Sequence, residues 1–87
     1  MEVRSRRPSE RGSNETFSGE VWVDVLVGEG DYQRMRVSLV RFAPGARTAW
    51  HSHPRGQTFY VLEGRGLVQA RGGPLLEVRA GDVVHTL

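Results

Sequence analysis

The chain has no cysteine, which excludes disulfide staples and leaves any metal site to nitrogen and oxygen donors. It has no lysine either. Its twelve cationic side chains are all arginines, set against ten acids for a formal charge of +2. So small and scattered a surplus is not the footprint of a nucleic-acid binder. Its densest cluster, Arg4, Arg6, Arg7 and Arg11, is nearly cancelled by Glu2, Glu10 and Glu15. No apolar run approaches the roughly 20 residues that a membrane-spanning helix needs. The opening stretch, MEVRSRRPSERGSNET, lacks the apolar core of a secretory signal. These absences lead to the expectation of a cytoplasmic protein with neither a membrane nor a nucleic-acid partner. Helical periodicity is missing as well, since nowhere do ten residues repeat apolar side chains at helical spacing.

What the chain does have is alternation. Residues 1–16 are charged and polar and read as a flexible N-terminal arm. From Phe17 the texture changes, and GEVWVDVLVG places Val21, Val23, Val25 and Val27 between Glu20, Trp22, Asp24 and Leu26, the period of two that marks a strand. Gly28-Glu29-Gly30-Asp31 is turn chemistry, and Arg34 to Phe42 is a second alternating run. Ala43-Pro44-Gly45 interrupts it, and Ala46 to His53 reads as a third strand. Pro54-Arg55-Gly56, Glu63-Gly64, Gly72-Gly73-Pro74 and Ala80-Gly81-Asp82 then separate strands at Gln57 to Leu62, Arg65 to Ala70, Leu75 to Val78 and Val83 to Leu87. Short strands with closely spaced turns predict an all-β fold, a small antiparallel barrel or sandwich over residues 17–87. The last run, Val83-Val84-His85-Thr86-Leu87, breaks off without a partner strand, so the domain is expected to lack its last strands and to be covered there by another copy, as a homodimer or higher homo-oligomer.

Two of the chain's three histidines, His51 and His53, stand one residue apart. On a strand such residues share a face, with Cα atoms about 6–7 Å apart. Two imidazoles at that spacing can converge on one ion at bond lengths near ~2.0–2.1 Å. Gln57 follows across a turn that would return it to the pair, and its neutral amide oxygen suits manganese or iron better than a soft ligand would. The plainer alternative is a pair of solvent-facing histidines that bind nothing. Ser38 and Val40, on the preceding strand, would share a pocket wall, with Thr48 a further candidate; ordinary strand packing is the alternative for all three. Trp22 and Trp50 read as packing residues, and Arg47 and Arg55 as surface charges flanking the motif.

Gly45, His51-Ser52-His53, Gln57 and Gly64 stand at the spacing G-x5-H-x-H-x3-E-x6-G, with glutamine for glutamate, and this resembles the first motif of the cupins. FAPGARTAWHSHPRGQTFYVLEGRG, with FSGEVWVD before it and RAGDVV after it, is similar to small bacterial single-domain cupins that include manganese-dependent hydroxynitrile lyases. The resemblance implies a jelly-roll barrel and a divalent metal, manganese favoured, with iron, zinc or nickel as alternatives. It implies ligands at His51, His53 and Gln57, and a fourth histidine in a segment that would follow the G-D-V-V stretch. His85 is the candidate substitute for that histidine. Without it, metal is expected to bind weakly. Arg79 stands where the second cupin motif has proline, while Gly81 and Asp82 are kept. The implied activity is cleavage of a cyanohydrin, a small-molecule substrate, to an aldehyde and cyanide. A cupin dioxygenase, a non-catalytic ligand-binding module and an incomplete, metal-free fragment are the alternatives.

Overall fold

A computed structural model of the chain describes residues 1–28, 35–53 and 56–86. Among the described residues there is no helix, and the nine strands pair antiparallel throughout. The all-β antiparallel fold read from the alternation is therefore what forms. No helix among the described residues is long and apolar enough to cross a membrane. The chain makes two compact units, Met1–His51 and Ser52–Leu87.

The first unit is built on β3 (Val21–Val27), the valine-rich run, because β-branched side chains fit a pleated ladder. β1 (Glu10–Arg11) and β4 (Val37–Phe42) flank it. The register pairs Val21 with Phe42, Val23 with Val40 and Val25 with Ser38 on one face, and Trp22 with Arg41 and Asp24 with Leu39 on the other. A shift between Val25 and Val27 then leaves Leu26 as a bulge. Val21 is fully buried, at 0% exposure, and Phe17 meets Phe42 edge-on with ring centroids 5.9 Å apart.

β2 (Phe17–Ser18) pairs with β5 (Arg47–Thr48), and the Ala49 amide adds one bond to the Thr16 carbonyl at 2.7 Å. Gly19, between β2 and β3, holds φ at +84°, and a Cβ there would meet the Ala46 Cβ at 2.8 Å. The chain thus turns where only glycine fits. β5 corrects the expectation of a strand running from Ala46 to His53. Its partner β2 is two residues long, so the ladder ends at Thr48 and the following residues leave strand geometry.

The second unit consists of two ribbons. β6 (Gln57–Tyr60) pairs with β9 (Val83–Thr86), and between them in sequence β7 (Arg65–Val68) pairs with β8 (Leu76–Arg79). The β7–β8 hairpin is thus inserted within the β6–β9 pair, a non-local closure. Its neck is tied by the bonds Gly81 N–H to Val61 carbonyl, 2.8 Å, Val61 N–H to Asp82 carbonyl, 3.0 Å, and Ala80 N–H to Gly64 carbonyl, 3.1 Å. The sequence-predicted turn at Gly28-Glu29-Gly30-Asp31 lies, beyond Gly28, outside the described residues, and so do Pro54 and Arg55.

Candidate metal-ligand site

His51 closes the first unit, exposed and outside any strand. Its Nδ1 lies 2.9 Å from the Ala49 carbonyl oxygen. A carbonyl can only accept, so Nδ1 carries the proton and donates it. In the neutral ring the lone pair then sits on Nε2, which fixes the atom that can ligate. The local chain accounts for this: Ala49 is held by its amide to Thr16, at the end of the β2–β5 ladder, and its carbonyl turns toward the ring two residues on.

His53 and Gln57 open the second unit. The Gly56 amide donates to the His53 carbonyl at 3.0 Å, and Gly56 holds a φ of +77°. Gln57 follows immediately as the first residue of β6, exposed and paired with Thr86. The turn expected after His53 runs through Pro54 and Arg55, outside the described residues.

His85, the candidate substitute ligand, does not fit beside Gln57. The β6–β9 register pairs Thr58 with His85 and Gln57 with Thr86. Directly opposed residues share a face and successive ones alternate, so His85 lies with Thr58, Tyr60 and Val83, and Gln57 with Phe59, Val84 and Thr86. The Thr58 Oγ1 to His85 Nδ1 contact of 2.7 Å fixes that side. Within this ribbon the two point to opposite faces, and one ion cannot take both from the same side.

Of the pocket candidates, Ser38 and Val40 share the β4 face that opposes Val25 and Val23. Thr48 lines a different feature, a cleft of about 290 Å³ that includes Asn14, Phe17, Arg47 and Trp50 but neither Ser38 nor Val40. Among the described residues no three of His, Asp and Glu cluster so as to hold a metal.

The best-formed polar cluster was not singled out from the sequence. Asp24, at 1% exposure, receives Arg6 Nη2 at 2.5 Å on Oδ2 and Arg41 Nη2 at 3.3 Å on Oδ1. Arg41 also donates to Ser9 Oγ at 2.8 Å. The Ser9 hydroxyl bond, then the Arg6 bond, with the charges of Arg41 and Arg6, lower the Asp24 pKa against the opposing effect of burial. Strand alternation places Asp24 on the polar side of β3. The signal that could have marked it is an acid between two β-branched neighbours with arginine on both flanking elements.

Residues 38–86 match the family model described as the cupin domain, more than half of the chain. The chain belongs to the cupin family. This cupin is also 42% identical, over 86 residues, to the (R)-mandelonitrile lyase of Granulicella tundricola. That likeness takes in 97% of this chain and 66% of the relative, so the chain spans just under two thirds of that lyase's length.

Proposed function

We propose that this cupin binds a divalent metal ion through His51, His53 and Gln57 and cleaves a cyanohydrin to an aldehyde and cyanide. The observation that carries the reading is the 42% identity to a mandelonitrile lyase over an aligned length that takes in 97% of this chain. The donor set suits the role. The Ala49 carbonyl holds the His51 Nδ1 proton and so presents Nε2 as the ligating atom. The Gly56 amide is bonded to the His53 carbonyl and Gln57 follows directly, so one short stretch of chain supplies an imidazole and an amide oxygen. All three donors are neutral, and a bound ion would keep nearly its full charge and supply Lewis-acid polarisation of the substrate oxygen. The hard amide oxygen favours manganese, with iron, zinc and nickel as competitors. Ser38 and Val40, on one face of β4, are the residues proposed to line the small-molecule pocket, while Thr48 lines the separate cleft with Arg47 and Trp50.

The test is cyanide release from mandelonitrile by protein stripped of metal and reloaded separately with Mn²⁺, Fe²⁺, Zn²⁺ or Ni²⁺. Release above background with manganese, lost in His51→Ala and in His53→Ala, is the expected result. Metal uptake abolished by His51→Ala together with background cyanide for every ion would leave a metal-binding cupin and remove the lyase.

A further inference from the structure

Arg6 and Arg7 stand three and two residues before Ser9, and no other serine or threonine of the chain has arginine at both of those positions. Basophilic serine kinases select that spacing, because acidic groups along their peptide groove pair with the two guanidinium side chains while the hydroxyl reaches the phosphoryl donor. The segment has the form such an enzyme takes. Residues 1–9 lie outside any strand, and Arg6, Arg7, Pro8 and Ser9 are all exposed. Pro8 also biases Arg7 towards extended backbone.

Ser9 sits where a phosphate would meet cations and an acid together. Its hydroxyl accepts Arg41 Nη2 at 2.8 Å, and the same Nη2 reaches Asp24 Oδ1 at 3.3 Å. Arg6 holds the other Asp24 oxygen. The Ser9 hydroxyl bond is the largest of the causes that lower the Asp24 pKa, ahead of the bond from Arg6. Phosphorylation would change these contacts together. The hydroxyl proton is lost, so the bond to Asp24 goes, and a group of about −1.5 to −2 charge stands in its place. Arg41 is then shared between two anions, and both the shorter contact and the larger charge are on the Ser9 side. Asp24, at 1% exposure, keeps Arg6 but faces a like charge.

We propose that Ser9 is the phosphoacceptor for an arginine-directed serine kinase and that its phosphate takes Arg41 from Asp24. In the transfer the bond from the γ-phosphorus of ATP to its bridging oxygen breaks and the bond from Ser9 Oγ to that phosphorus forms. ADP leaves, and the hydroxyl proton passes to the base of the kinase. A change of charge in the arm is thereby felt at the buried acid of β3.

The full chain is incubated with ATP and a basophilic serine kinase, and phosphate is located from fragment masses. One phosphate on Ser9, absent from Ser9→Ala and added severalfold more slowly to Arg7→Ala, is the expected result. No incorporation, or incorporation on Ser5 or Ser13 that persists undiminished in Ser9→Ala, overturns the site. The change of partner is read separately from the carbon NMR titration of the Asp24 carboxyl, identified by its loss in Asp24→Asn. In the chain phosphorylated at Ser9 that carboxyl should titrate at higher pH than in the unmodified chain, and an unmoved titration overturns the second half of the proposal. In Arg41→Ala the rise on phosphorylation should be smaller, since that partner is already gone. An equal rise there removes Arg41 as the group that changes hands.

Discussion

At the residue scale, two side chains carry most of what is specific to this molecule. His51 was legible as a candidate ligand because a histidine pair one residue apart is rare chemistry in a chain with three histidines. Which ring nitrogen carries the proton was not legible, since it depends on where the Ala49 carbonyl turns. The neutral ring is expected to be protonated at Nδ1, and nitrogen NMR shifts of the labelled protein at high pH check this directly; a ring protonated at Nε2 would contradict the bond to Ala49. Asp24 was hidden for a physical reason. The alternation that identifies β3 also assigns Asp24 to a solvent face, and what covers that face is an arm whose charges read as solvated. Its lowered pKa gives a sign for pH dependence. With the folded value below the ordinary 3.8, the stabilisation is fully present above that value and is lost as pH falls through the folded pKa. Thermal midpoints followed from neutral to acid pH should therefore drop for the parent protein, and Asp24→Asn should flatten the drop. Parallel profiles would show that Asp24 does not carry it.

The elements were legible wherever local pattern decides them, and the ladders were not. β3, β4, β6, β7, β8 and β9 fall within a few residues of the alternating runs, because β-branched side chains and glycine-bearing turns act locally. The pairing of β6 with β9 around the β7–β8 hairpin is a non-local choice, and the facing of His85 follows from it. A shift of one residue in that register would move His85 to the Gln57 side. The same non-locality shortened β5, whose length is set by its two-residue partner rather than by its own β propensity. The turn from Arg79 to Asp82 shows what does hold the second unit's connections. The Asp82 carboxylate accepts the Arg79 amide at 2.7 Å, and the Asp82 amide returns to the Arg79 carbonyl at 2.9 Å. Gly81 sits between them at φ +96°, and a Cβ added there would meet no atom of the described residues within 4 Å, so Gly81→Ala meets backbone strain alone. The expected loss is about 1–2 kcal/mol, read from urea midpoints. A neutral result would mean that the turn relaxes out of its left-handed conformation. Thr58→Val, which removes the contact to His85 on an exposed face, should cost less, at most about 1 kcal/mol.

At the scale of the whole molecule, the notable feature is how much apolar surface the strands leave in contact with solvent. In the second unit Tyr60, Leu62, Leu67, Leu75, Leu76 and Val83 are each more than half exposed, between 55% and 65%. A two-stranded ribbon is marginal by itself in water, and three or more strands or a covering layer are needed for independent stability. The cross-strand pair Tyr60 and Val83 offers such a layer one ready contact, and burying large side chains is worth roughly 1.5–3 kcal/mol each. The chain is therefore expected to associate in solution, with light scattering giving a mass above 9.7 kDa that rises with concentration. Sulfate strengthens apolar burial and should promote association through the second unit's ribbons. A Tyr60→Lys, Leu67→Lys double variant should then lose the sulfate-promoted mass increase. A parent chain that stays at 9.7 kDa across concentration and sulfate would refute the association outright.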